Sequence, residues 1–272
     1  IDPSTYRCTG PAPAAGSAAA DSLKTVVIGP QGALYLTDGH HTFTTLNELA
    51  DGGPKLPVWV RVVANYSATR DTADFWKRMT SAGYAWLRDA NGKGIAPSAL
   101  PPRVALAAFQ DDRYRSLVYL VRDLGYDNAK VSEFAEFYWG HWLRNNGIDL
   151  AEYNLRNLAR SRIAVTNGTS VPRTGDSTTS YPAAVRDAAL RMIALNGSTL
   201  VGPGRTASQL GKLGPPATAG AWNDKLEDDV WRSDTNSSNR YRTAGAAWYA
   251  VKYRQCGGPA ATQPACWLRP AR

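Results

Sequence analysis

The stretch "LYLTDGHHTF", Leu34–Phe43, places two of the chain's three histidines side by side, directly after an Asp-Gly pair. "ALYLTD" reads as a strand, Asp38–Gly39 as the turn that ends it, and "HHTFTTLNELAD" as a short helix. Gly39 permits a positive φ or a close backbone approach. The first N–H groups of the helix point outward with the positive end of its dipole, so the corner suits an anion. His40 and His41 can donate to a phosphate oxygen or exchange protons near neutral pH. Asp38 is placed to cap the helix, to orient an imidazole, or to act as a base. A plainer reading stays open, in which Asp38 only caps, one histidine packs and the other faces water. Neighbouring side chains diverge and no Glu or Cys stands at a useful spacing, so no metal is expected here.

Around this corner the pattern is mixed. "SLKTVVIG" reads as a strand joined to "ALYLTD" by the turn "PQG", making a hairpin, and "LPVWVRVVAN" as a third strand. "DTADFWKRMTSAG" reads as a helix stopped by glycine, and "YAWLRDANGKGI" as a strand running into a turn. Beyond Pro101 the periodicity turns helical, in "DDRYRSLVYLVRDLG", "SEFAEFYWGHWLRNNG" and "DLAEYNLRNLARSRIA". Residues 165–181 read as a polar loop, and further helices are expected at 182–195, 223–233 and 239–255.

The chain has 272 residues, 43% hydrophobic and 20% charged, which is ordinary for a globular protein. No apolar run approaches the roughly 20 residues of a bilayer span. The net charge of +8 lies wholly in the second half: residues 1–150 hold 15 Lys+Arg against 15 Asp+Glu, and residues 151–272 hold 16 against 8. That excess is mostly arginine, which suits planar anions such as phosphate, or else a solvated basic surface. Of the three cysteines, Cys256 and Cys266 flank "GGPAATQPA", which can bend enough for a disulfide, leaving Cys8 over. The spacing matches no zinc signature. An exported protein, periplasmic or secreted, is expected on this ground, with a cytoplasmic one as the alternative. The first residue is Ile1 rather than Met, which is read as removal of something upstream.

A second constellation lies on the helices. Asp111 and Asp112 stand at helical spacing from Arg115, and Glu133, Glu136, Gly140 and Arg144 recur along an aromatic helix with His141 one position off that line. Charges among Phe134, Phe137, Tyr138, Trp139 and Trp142 are costly unless paired. The economical reading is an ion-pair network in which Arg115 or Arg144 bridges to Asp112 or Glu136. The alternative brings Glu136 and His141 to the Asp38–His41 corner as acid and base. Arg156, Arg160 and Arg162 read as a solvated helix face, with a phosphate stripe as the alternative. The nine Trp read as core, and the Asn-x-Ser/Thr triplets at Asn65, Asn167, Asn196 and Asn236 carry no weight.

The strand–Asp-Gly-His-His–helix corner resembles the signature corner of the ParB/sulfiredoxin superfamily. "FWKRMTSAGYAWL" (Phe75–Leu87), "LPPRVALAAFQDDRYRSLVYLVRDLG" (Leu100–Gly125) and "FAEFYWGHWLR" (Phe134–Arg144) are similar in order and spacing to its "putative ParB-like nuclease" group. The resemblance covers about residues 22–165. It implies an α+β fold, a small mixed sheet with a ParB/sulfiredoxin-like core followed by a mainly helical C-terminal half. The implied division is an arm at 1–21, the core domain at 22–165 and a basic helical extension at 166–272. Superfamily members bind nucleoside triphosphates, phosphorylate free serine or reduce a cysteine sulfinic acid. The resemblance puts Gly39, His40 and His41 at the ligand. The candidate catalytic residues are then His40, His41, Asp38, His141 and Glu136, and the candidate ligand-binding residues Gly39, Thr42, Arg115 and Arg144. Thr42 departs from the pattern, since many members carry a phosphate-gripping arginine there, and His141 stands where an acid is common. The group's Thr-Gln segment and lysine ahead of the first strand are not located, so an upstream segment is expected. The implied function is phosphoryl or phosphodiester chemistry, with nuclease as the group's label. A non-catalytic module for a small anion and a small-molecule, free-serine-like kinase are the alternatives. The expected partner is a phosphate-containing or other anionic small molecule, or nucleic acid; the cofactor is unknown from sequence.

Overall fold

The structure, a computed structural model, describes residue 8 and residues 10–49, 51–127, 134–230, 245–258 and 262–267. It is of the α+β class and divides into two compact units, 1–112 and 113–272.

In the first unit a short helix α1 (Ala18–Asp21) leads into a three-stranded sheet of β1 (Thr25–Ile28), β2 (Leu34–Leu36) and β3 (Arg61–Asn65). The order is β2-β1-β3, with β1 antiparallel to β2 and parallel to β3. The β-branched run Thr25-Val26-Val27-Ile28 suits the central strand. The hairpin turn places Gln31 at φ 60°. Helix α2 (His40–Glu48) joins β2 to β3, and α3 (Thr72–Ser81) follows. Asp71 caps α3 by accepting from the N–H groups of Ala73 and Asp74 at 3.1 and 3.3 Å, and Gly83 leaves the helix at φ 74°. Val27, Phe75 and Met79 form the small core, with Tyr35, Trp76 and Tyr66 packed against it. The expected strand at Tyr84–Leu87 is instead a loop closed by an isolated Arg88–Gly94 bridge.

The second unit holds α4 (Arg113–Leu120), α5 (Ala135–Asn145), a hairpin of β4 (Ile163–Thr166) and β5 (Thr169–Pro172), α6 (Tyr181–Ile193), a second hairpin of β6 (Leu200–Gly202) and β7 (Arg205–Thr206), α7 (Ala219–Val230), α8 (Ala246–Cys256) and α9 (Pro264–Trp267). Its larger core is built on Trp139, Tyr126, Tyr181, Leu143 and Met192. Gly140 lets α5 approach α4, since a Cβ there would lie 3.3 Å from the carbonyl carbon of Tyr114.

Two expectations are corrected here. No α-helix runs through Asp149–Ala164: a 3-10 turn at Leu150–Glu152 is followed by turns in which Asn154 and Asn157 accept from the N–H groups of Arg156 and Ala159 at 3.0 and 2.8 Å. Local Asn acceptors compete with the helical ladder. Arg156 and Arg160 therefore share no helix face; Arg160 pairs with Glu227 at 3.2 Å and Arg162 with Asp176 at 2.8 Å. The expected loop at 165–181 contains the β4–β5 hairpin, turned at Asn167 and Gly168 with φ 51° and 74°. Asn-Gly is a hairpin signal that the sequence reading passed over.

Cys256 and Cys266 are disulfide-bonded with Cα atoms 5.6 Å apart, and Cys8 is an exposed free thiol. Glu133, the Asn236 triplet, and the parts of the expected helices at 231–233 and 239–244 lie outside the described residues.

Candidate functional site

The corner is set by strand register. Val26 faces Leu36 across the antiparallel pair, so continuing the register brings Thr25 to Thr37 and Lys24 to Asp38. The buried hydroxyls of Thr25 and Thr37 stand 2.7 Å apart, and the Thr37 N–H donates to the Thr25 carbonyl at 2.9 Å. One step further out, Lys24 Nζ lies 3.3 Å from Asp38 Oδ2. Asp38 thus does not cap α2, contrary to expectation. The N-cap is Gly39, at φ 92° and with no side-chain capping bond, and the Asp38 carboxylate is turned back to Lys24, 14 residues earlier. Gly39 is required on two counts. Its φ lies in the left-handed region, and a Cβ there would come within 2.6 Å of Lys24 Cβ.

His40 and His41 open α2 and both are exposed. The His41 carbonyl accepts from the Thr45 hydroxyl at 2.8 Å. The His40 ring lies 6.2 Å from the Phe109 ring in a T-shaped arrangement at 74°. Thr42, the third helical residue, is buried at 6% exposure and presents no surface group where an arginine would grip phosphate. Asp38, Gly39, His40, His41 and Thr42 therefore belong to one corner, and Lys24 joins them. Lys24 was missed in sequence, where its signal was its register partner across the hairpin.

Arg115, Glu136, His141 and Arg144 lie in the second unit. Glu136 on α5 is held at Oε2 by Arg115 of α4 and at Oε1 by Arg122, whose Nε stands 2.9 Å away. Arg115 lies over Phe137 and Arg122 over Tyr119, with 5.5 and 4.6 Å to the ring centroids. Arg144 stacks over Tyr114 at 4.5 Å. The Tyr126 hydroxyl donates to Glu136 at 3.5 Å, and burial, reinforced by the Glu136 charge, pushes it well above the usual phenol range. This is the ion-pair network of the economical reading, with Arg122 as the member that sequence spacing missed. The His141 Nε2 lies 3.3 Å from Asn145 Nδ2, which also donates to the His141 carbonyl at 2.8 Å.

Among the described residues, no three His, Cys, Asp or Glu side chains gather as a metal-ion site, and no helix is long and apolar enough to cross a membrane.

Residues 11–145, which contain this strand–Asp-Gly-His-His–helix corner, match the family described as "Putative ParB-like nuclease". Residues 11–145 are thus a domain of the ParB-like nuclease family. Among solved structures, protein Atu1540 from Agrobacterium tumefaciens is similar at 28% identity, over 46% of this chain and 62% of that one, with a TM-score of 0.39. This chain therefore spans less than two thirds of that protein's length. No curated protein matches.

Proposed function

We propose that the chain is a phosphodiester-directed enzyme, a nuclease, that holds phosphate at the Lys24–His41 corner. The observation that carries this is a lysine ammonium held 3.3 Å from Asp38, just ahead of a helix that opens on two exposed histidines and whose cap is a bare glycine. The helix N-terminus and Lys24 supply the positive field for a phosphate oxygen. One imidazole takes a proton from the attacking water and the other gives one to the leaving oxygen, which needs two groups titrating near neutral pH. Asp38 holds Lys24 at the corner. The family domain at residues 11–145 supports the reaction class, and the arginine excess of residues 151–272 suits a polyanionic substrate.

The test is cleavage of short labelled single- and double-stranded DNA and RNA, with divalent cation and with chelator. Cleavage by wild type that is lost in His40→Ala and in His41→Ala, with unchanged melting, is the expected result. Wild type inert on all four substrates, while phosphate still perturbs the histidines, would leave the same corner as a non-catalytic anion site. The buried Thr42 in place of a gripping side chain favours that second reading.

A further inference from the structure

We propose that the segment Leu106–Gln110 is a strap that positions the imidazole of His40, with Phe109 as the positioning residue and Glu48 as the anchor; this rests on the reading of the Asp38–His41 corner as the site. The strap touches both ends of α2. At the C-terminal end Glu48 Oε1 accepts the Leu106 N–H at 2.9 Å, across 58 residues of sequence. At the N-terminal end the Phe109 ring meets the His40 ring at 6.2 Å. Next to Phe109, Gln110 Oε1 accepts the Ala90 N–H at 3.1 Å, which ties the strap to the loop closed by the Arg88–Gly94 bridge. A 3-10 turn at Leu106–Ala108 lies between these two contacts.

An exposed histidine in the first turn of a helix samples several rotamers. A T-shaped ring pair favours one of them by roughly two- to tenfold. Held in this way, the His40 ring meets a bound phosphate from a fixed direction, and its nitrogens are oriented before the ligand arrives. The strap segment lies within "LPPRVALAAFQDDRYRSL", so a motif of the resemblance that the chemistry did not absorb acquires a task at the corner.

The three histidines give few imidazole C–H resonances, which makes the test direct in the full chain. Wild type, Phe109→Ala, Phe109→Leu, Glu48→Ala and Glu48→Gln are compared with and without inorganic phosphate. The Leu variant keeps apolar bulk without the ring, and the Gln variant keeps an acceptor for the Leu106 N–H. The expected result is His40 resonances displaced by the Phe109 ring current in wild type and in Glu48→Gln, and restored to unstructured positions in the other three. In those three the response of His40 to phosphate weakens by roughly two- to tenfold, while that of His41 holds. Unchanged His40 resonances in Phe109→Ala, or equal phosphate responses at His40 in that variant and wild type, overturn the inference. Phosphate that moves neither histidine in wild type defeats the anion reading of the corner instead, and the ring-current comparison alone then upholds or overturns the strap.

Discussion

Lys24 Nζ and Asp38 Oδ2 stand 3.3 Å apart at the open end of the β1–β2 pair, with side chains 26% and 43% exposed. The pair is too wet to matter much for folding, since exposed ion pairs contribute about 0–1 kcal/mol. It places an ammonium beside Asp38, two residues ahead of α2. Lys24→Ala is expected to melt close to wild type while losing about tenfold or more in phosphate affinity, an ammonium–phosphate contact of the charge-assisted kind. Calorimetric titration with inorganic phosphate, alongside a thermal melt, measures both. A large drop in melting temperature with unchanged affinity would assign Lys24 to stability instead.

Gly39→Ala should destabilise the protein by about 1–2 kcal/mol, the cost of a Cβ in a left-handed conformation, with further loss because that Cβ meets the Lys24 stem. Chemical denaturation reads this directly. A neutral substitution would mean that the φ of 92° is not kept in solution.

Glu136→Ala should cost about 3 kcal/mol, because it leaves the Arg115 and Arg122 charges, 13% and 30% exposed, without their shared carboxylate. Glu136→Gln should cost less, since the amide oxygen still accepts. His141→Ala is assayed in the same series: loss of cleavage at unchanged stability assigns the third histidine to the reaction, and equal loss of both assigns it to packing.

Asp176 is held below the usual carboxylate range, first by its hydrogen bond from the Arg162 side chain. A depressed folded-state pKa stabilises the fold above the unfolded value, near pH 4, and that contribution is lost as pH falls through the folded value. Melting profiles between pH 5 and pH 2 should therefore fall more steeply for wild type than for Asp176→Asn.

Replacing both Cys256 and Cys266 by Ser should lower stability by roughly 2–3 kcal/mol, the loop-closure entropy for a separation of 10 residues. Mass spectrometry of the unreduced protein checks the bridge itself; two free thiols at these positions would refute it.

Local chemistry made much of the architecture readable. The β-branched runs, the Asp71 cap and the Gly83 stop mark β1 and α3 without reference to the rest of the chain. The same local rules failed at Asp149–Ala164, where amphipathic spacing promised a helix but Asn154 and Asn157 close turns. They also failed at Asn167–Gly168, a hairpin signal lost inside a polar stretch.

By itself the sequence determined the α+β class, the corner with its Asp-Gly-His-His order, and the Cys256–Cys266 pairing, because each depends on residues close together in the chain. Only the tertiary structure decided which partner each charged group takes. Asp38 is a suitable cap by position, yet strand register offers it an ammonium 14 residues away. Glu136 could have met any of several cations, and the approach of α4 to α5 over Gly140 delivers Arg115, with Arg122 as the second. Phe109 stands 6.2 Å from His40, in a segment that the Leu106 N–H to Glu48 bond, between residues 58 apart, ties to the other end of α2. A carboxylate pairs with whichever cation the folded backbone brings within about 4 Å, and that distance is not written in local sequence.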